Sequence, residues 1–226
     1  MTKAQTQRIA VVGAGNVGAP IAGRLAAAGH NVVLGGPDPS SETIRGAMSA
    51  WPNLRAATTA DAVADADAVF LAIPFPAAAS VLSEIGDALA GKILVDCTNP
   101  VGPGLSHGLE SQRSGAEVIQ AAAPDARVVK AFTIYGFENL QDSTYPGYGD
   151  LRPAMLIAGD DQDAKRTVSG FCEELGFEPV DTGPLSSSLH LEHLTLLWIK
   201  MARIHHPNPN LVWARLKRGH SAPPKT

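Results

Sequence analysis

The sequence predicts an α/β fold: a Rossmann-type, doubly wound, mostly parallel sheet with a C-terminal helical extension. Three observations predict it. Short apolar runs alternate with helical stretches along most of the 226 residues, the β-α-β rhythm of a parallel sheet covered by helices on both faces. The first run leads straight into Gly13-Ala14-Gly15-Asn16-Val17-Gly18 and an alanine-rich helix. That strand–turn–helix setting is the one in which G-x-G-x-x-G binds a dinucleotide. The apolar fraction of 45% supplies a full core, yet no apolar run approaches the ~20 residues of a membrane span.

The elements follow in order. Residues 9–12 are the first buried strand, and the helix after the glycine turn ends near Gly29. Residues 31–35 are a second strand, 41–50 a helix and 54–57 a short strand. A strand at 68–73 leads into a helix over 76–89, and another strand covers 93–97. Strands at 128–132, 154–158 and 177–180 follow, with a helix at 162–175 between the last two. One long apolar helix spans 185–201, too hydrophobic to lie alone on a surface. The chain therefore divides into a dinucleotide-binding domain, residues 1–183, and a C-terminal helix with a basic tail, residues 184–226. The second part packs on the first, forms a dimer or closes the substrate pocket. So short an extension cannot build a separate helical substrate domain, so the substrate is expected against the nucleotide domain itself.

Charge is unevenly spread. The net charge is −4, but no carboxylate follows Glu192, while Lys200, Arg203, Arg215, Lys217, Arg218 and Lys225 all do. Such a tail reads either as an anion-binding end or as the basic solvated face of a helix. No nucleic-acid module accompanies it, and the whole chain is acidic, so the expected partner is a small molecule rather than nucleic acid or membrane. Cys97 and Cys172 are the only cysteines. They fall in a predicted strand and helix, as reduced core residues of a cytoplasmic protein do. The polar first residues carry no signal-peptide core. Histidines gather late, at 190, 193, 205, 206 and 220, but without the further ligands a metal site needs. No G-x-S-x-G elbow or kinase-type phosphate loop points to hydrolysis or phosphotransfer.

Right-handed crossovers put the ligand crevice at the carboxyl ends of the strands. Gly13 permits the first turn, Gly15 lets the backbone approach a pyrophosphate, and Gly18 lets helix and strand pack closely. The helix start supplies unpaired N–H groups and partial positive charge. After the second strand, Gly35 and Gly36 stand where an NAD-specific protein carries an acid for the ribose 2′-OH. The gap favours NADP, whose 2′-phosphate Ser40, Ser41 or Arg45 could bind. Asp38, two residues on, argues for NAD or reads as a Pro-Asp-Pro turn. After the fourth strand, Ile73, Pro74 and Phe75 turn the chain over the crevice. After the fifth, Thr98, Asn99, Pro100 and Val101 offer groups for a ribose or carboxamide, or simple turn chemistry. After the sixth, Thr133, Ile134 and Tyr135 are expected on the open face of a nicotinamide.

Taken together, residues 11–18, 72–74, 96–100, 128–132 and 181–185, with the long helix containing Leu191-Glu192 and residues 194–199, resemble the coenzyme F420-dependent NADP oxidoreductase family. The resemblance runs from Arg8 to about Arg203 and implies a cytoplasmic homodimer moving hydride between NADP(H) and a deazaflavin. The cytosolic domains of six-transmembrane metalloreductases, which use NADPH and a flavin (FMN or FAD), are similar. By resemblance, Ala14 to Val17 hold the pyrophosphate and residues 36–41 face the adenosine phosphate. Ile73, Pro74, Asn99 and Val101 line the ribose and nicotinamide. Three departures stand out. Gly36 and Pro37 replace a usual Ser-Arg, Thr133 and Ile134 replace a usual His or Asn followed by Thr, and residues 205–226 extend past the usual end.

Hydride transfer between a nicotinamide and a flavin-like ring rests on positioning and needs neither nucleophile nor metal. Reduction of a small C=N or C=O substrate, as in pyrroline-carboxylate or imine reductases, would need a proton donor, for which Tyr135 is the candidate. A non-catalytic NADPH-sensing module is the third reading. Lys200 and Arg203 are candidates to hold an anionic cofactor tail.

Overall fold

The computed structural model describes residues 6–218. Strand β1 (Arg8–Val12) enters the glycine turn, and α1 (Gly18–Ala27) follows. Then come β2 (Asn31–Gly36), α2 (Glu42–Ala50), β3 (Arg55–Thr58), α3 (Thr59–Ala64) and β4 (Ala68–Leu71). Next are α4 (Ala78–Ile85), β5 (Ile93–Asp96), α5 (Gly115–Ala122), β6 (Arg127–Lys130) and α6 (Glu138–Gln141). The chain closes with β7 (Ala154–Gly159), α7 (Gln162–Glu174), β8 (Glu178–Asp181) and α8 (Ser188–Ile199), whose last turns, Lys200–His205, widen into a π-helix. Helices α3, α5 and the four-residue α6 are additions to the elements predicted from sequence. Of these, α3 and α5 are capped by a hydroxyl, Thr58 or Ser114, that accepts the N–H of the third helical residue.

The eight strands lie in the order β3-β2-β1-β4-β5-β6-β7-β8. Strands β1 to β6 pair in parallel, β7 runs antiparallel to β6, and β8 is parallel to β7. Strand order reverses at β1, which is flanked by β2 and β4, so the crevice opens beyond the carboxyl ends of these strands. The central strands are buried on both faces and read as unbroken apolar runs for that reason. Phe70 and Val95 face one cluster while Val69 and Leu94 face the other, as the strand period of two requires.

The C-terminal part shares the core of the first. Leu191, Trp198 and Ala202 pack in the same cluster as Ile9, Phe70 and Phe132. The segment after α8 runs back across the sheet end. Ala154 N–H donates to Trp213 O (2.8 Å), and Trp198 Nε1 donates to Leu211 O (2.7 Å). His220 and Lys225 lie outside the described residues. No helix among the described residues is long and apolar enough to cross a membrane.

Candidate active site

The glycine turn has the shape its sequence predicts. Gly13 takes φ +102°, and a Cβ there would strike the Ala72 carbonyl oxygen. A Cβ on Gly18 would collide with the Gly13 carbonyl oxygen, so both positions demand glycine on steric grounds. Gly15 differs: a Cβ there would meet nothing within 4 Å. That open space lies at the start of α1, whose hydrogen bonding begins with Ala19 N–H to Gly15 O (3.0 Å). The amides just before it are the unpaired ones a helix start leaves. The cradle therefore fits a pyrophosphate, with Asn16 exposed at its edge.

Beside it lies a cavity of about 250 Å³ whose walls include Gly13, Ala14, Gly36, Ser41, Thr43 and Ile73. Its lining bears no formal charge. Ser41 precedes α2 without capping it by its side chain. Ser40, by contrast, is engaged: its N–H (2.8 Å) and hydroxyl (2.7 Å) both donate to Asp38 Oδ1. These bonds hold the exposed Asp38 carboxyl below the usual range, with Arg45 adding a smaller pull. Asp38 is thus a turn residue, and Ser40 offers no free hydroxyl to a phosphate.

At the other end, beneath the turns after β5 and β6, a buried ionic chain holds the site. Lys130 Nζ, fully buried, meets Asp96 Oδ2 (2.9 Å), the Thr98 carbonyl oxygen (2.6 Å) and Glu192 Oε1 (2.9 Å). Burial alone would lower this ammonium, but Asp96 and Glu192 more than offset it and raise it above the ordinary lysine value. Glu192 also accepts the Gly115 N–H at the start of α5 (2.9 Å) and bonds His107 Nε2 (2.8 Å). His107 Nδ1 accepts the Leu109 and Ser111 N–H groups (3.3 Å each), which assigns the proton to Nε2. His193, from α8, stacks on His107 at 5.3 Å and bonds Ser111 Oγ (3.1 Å). The chain fastens β5, β6, the loop before α5, and α8 to one another.

Sequence reading missed Lys130, Glu192 and His107. For Lys130 and Glu192 the signal was a charge set within an apolar run, Val-Val-Lys-Ala-Phe and Leu-Glu-His-Leu; His107, in Leu-Ser-His-Gly, carried none. Only tertiary contact reveals that these charges face each other. It also corrects Thr98. Its hydroxyl donates to Asp96 Oδ1 (2.7 Å) and its carbonyl serves Lys130, so Thr98 shapes the turn instead of presenting a free group. Pro100 is buried beside it, and Val101, 44% exposed, stands at the surface.

Asn99 and Thr133 stand in contrast to this saturation. Asn99 Nδ2 donates to Thr133 O (3.4 Å), which also takes the Thr195 hydroxyl (3.0 Å). Asn99 Oδ1 and Thr133 Oγ1 are buried with no partner. Buried polar atoms are nearly always paired, so orphans on two adjoining residues at the strand ends fit a ligand carrying amide or hydroxyl groups. Ile73 and Phe75, half-buried, and the exposed Pro74 follow β4 on the same edge of the sheet.

The expected open-face trio is corrected. After β6 the chain kinks at Phe132, which takes φ +59°, and Thr133, Ile134 and Tyr135 all turn inward, buried to 2%, 0% and 6% exposure. The Tyr135 hydroxyl donates to the Ala154 carbonyl and accepts the Trp213 N–H (3.2 Å). Burial raises its phenol well above the ordinary value, so Tyr135 is no proton donor to a crevice. The basic tail is corrected in part. Arg203 pairs with Glu138 (2.8 Å) and lies over the Trp198 ring at 5.2 Å, and Arg215 pairs with Glu178. Both cations brace the fold instead of awaiting an anion. Among the described residues no three His, Cys, Asp or Glu side chains gather as a metal site.

The strand order, the glycine cradle and the adjoining cavity define a dinucleotide-binding α/β protein. Comparison with known proteins narrows this. Residues 8–100 match the family model described as NADP oxidoreductase, coenzyme F420-dependent. The F420-dependent NADP reductase of Methanothermobacter marburgensis is 30% identical over 86% of this chain and 92% of its own length. A crystal structure from Arthrobacter sp. FB24, named for F420-dependent NADP reduction, superposes with a TM-score of 0.79 at 30% identity, covering 87% of this chain and 93% of that one. Metalloreductase STEAP3 of Rattus norvegicus is 33% identical over 85% of this chain, which spans only 37% of that protein. The chain belongs to the coenzyme F420-dependent NADP oxidoreductase family.

Proposed function

We propose that the protein moves hydride between NADP(H) and a flavin-like ring, a deazaflavin of the F420 type or else FMN or FAD. One observation carries the reading. The Tyr135 hydroxyl, the proton donor that C=N or C=O reduction would use, is sealed against Ala154 and Trp213. Transfer between two rings asks the protein for alignment rather than acid catalysis.

In this reading Ala14, Gly15, Asn16 and Val17 hold the pyrophosphate at the start of α1, and Gly36 and Ser41 face the adenosine. Ile73, Pro74, Phe75, Asn99, Pro100 and Val101 border the nicotinamide and its ribose. When bound, the coenzyme supplies the hydride. The chain orients it: the Lys130 chain holds the Thr98–Asn99 turn still, and Asn99 and Thr133 contribute the unpaired polar atoms. The C-terminal part, as far as residue 218, packs on the dinucleotide domain and closes the hydride end. A cytoplasmic homodimer goes with this reading. Leu197 and Ile204, 48% and 57% exposed on the last helix, support a self-association face, which sedimentation would test.

Loss of reduced-nicotinamide absorbance is to be followed with F420, FMN, FAD and cyclic imines as acceptors. Turnover with F420 or a flavin, and none with imines, is expected. Turnover with imines alone would overturn the reading. Tight NADPH binding without turnover on the whole panel would replace it with a sensing role.

A further inference from the structure

We infer that the adenosine end of the crevice is coenzyme-tolerant and takes NADH as well as NADPH. The inference rests on the dinucleotide reading above and goes beyond the coenzyme choice of the family.

Rossmann proteins separate the two coenzymes with formal charge at the end of the second strand. A carboxylate there binds the ribose 2′-OH and repels a 2′-phosphate, whereas a cation does the reverse. Here that place is held by Gly35 and Gly36, and neither can be given a side chain without cost. A Cβ on Gly36 would meet Ile44 Cδ1 at 2.9 Å, and one on Gly35 would meet Ala62 Cβ at 3.1 Å. The packing of α2 and α3 against β2 therefore keeps this wall bare. The remaining polar side chains of the cavity are Ser41, Thr43 and Thr59, all neutral hydroxyls. A hydroxyl can donate to a phosphate oxygen or accept from a ribose 2′-OH, so these groups admit either coenzyme and exclude neither.

Charge returns at the rim with both signs: the exposed Asp38 and Glu42 against the exposed Arg45. Asp38, exposed and fixed by Ser40, keeps Oδ2 outside the bonds Ser40 makes to Oδ1. Arg45 stands one turn into α2, its N–H bonded to Ser41 O (2.9 Å). Asp38 and Glu42 disfavour a 2′-phosphate, and Arg45 favours it. A contact between fixed opposite charges contributes about ten- to hundredfold in binding, and opposed rim charges in solvent cancel most of that.

The test is a pair of titrations, NADPH and NADH, on the full chain, with 2′,5′-ADP and 5′-AMP as fragments, at low and at high salt. For the wild type we expect dissociation constants within about tenfold of each other. Arg45→Ala should weaken NADPH and 2′,5′-ADP about tenfold at low salt and leave NADH and 5′-AMP unchanged. Asp38→Asn should strengthen NADPH several-fold with NADH little altered. A wild-type preference for NADPH beyond about a hundredfold would overturn the inference. So would a ratio that neither variant moves while remaining far from unity. If no coenzyme and no fragment binds at all, it is the dinucleotide reading that fails, an outcome distinct from both.

Discussion

At the adenosine end the walls are glycine, aliphatic side chains and three hydroxyls, without formal charge. At the hydride end Asp96, Lys130, Glu192 and His107 lie sealed beneath the turns after β5 and β6. The first end recognises by shape and by backbone, and it tolerates variation in what it holds. The second spends several buried charges on keeping two short turns in place. Buried ion pairs add little net stability over apolar packing, because desolvation consumes the attraction. A fully satisfied chain of them is better read as a positioning device, and its neighbours Asn99 and Thr133 carry the unpaired atoms that such positioning would serve.

The sharpest way to break the comparison is Lys130→Met. It leaves Asp96 and Glu192 facing each other without a cation, a loss of about 3–5 kcal/mol expected in chemical denaturation. A loss under 1 kcal/mol would mean that the chain carries little. Titration sharpens the same point. The Lys130 ammonium is raised in the fold, so its contribution is fully present below the unfolded lysine value of about 10.4. It fades only as pH rises through the folded value. Alkaline unfolding of the wild type should therefore begin above that pH, and Lys130→Met should lack this component.

Next is the cradle. Gly18→Ala forces a methyl into the Gly13 carbonyl, and the β1–α1 turn must open. We expect coenzyme affinity to fall at least a hundredfold, with about 1–3 kcal/mol of stability lost. Gly15→Ala enters open space. It should leave stability nearly unchanged while weakening binding, because the methyl occupies the place of the pyrophosphate. Equal stability losses in the two variants would contradict the difference drawn between these glycines.

At the hydride end a smaller effect is expected from Asn99→Ala. It removes a buried orphan acceptor, so stability should hold or rise slightly. NADPH binding should weaken about tenfold, and 2′,5′-ADP, which lacks a nicotinamide, should bind as before. Equal weakening of both ligands would place the effect in the turn as a whole.

These two ends were not equally legible in the sequence. The glycine turn is local: Gly13, Gly15 and Gly18 act on their own strand and helix, and their spacing alone carries the geometry. The succession of strands and helices along the chain followed from the alternation of apolar runs, whereas their order in the sheet and the antiparallel β7 emerge only from tertiary pairing. The Lys130–Glu192 contact joins residues far apart in the chain, and nothing near Glu192 announces it except the oddness of an acid in an apolar helix. Helix α5 was missed because its period is masked by the glycines and polar residues that precede it. Tyr135 was misplaced for a different reason. Counting onward from β6 assumes an extended chain, and Phe132 breaks that assumption by adopting a left-handed conformation.

Tyr135→Phe carries the smallest expected effect and separates mechanism from scaffold. The hydroxyl bonds Ala154 and Trp213, so its loss should cost about 1 kcal/mol in denaturation and loosen the strap after α8. Turnover per folded molecule with a flavin-type acceptor should stay within about twofold of wild type, because the group never reaches the crevice. If turnover instead fell a hundredfold at unchanged stability, Tyr135 would be a proton donor reached through a motion of the turn at Phe132. The hydride end would then be a site for acid-assisted reduction of a small substrate, and its buried charges would hold a moving part in place.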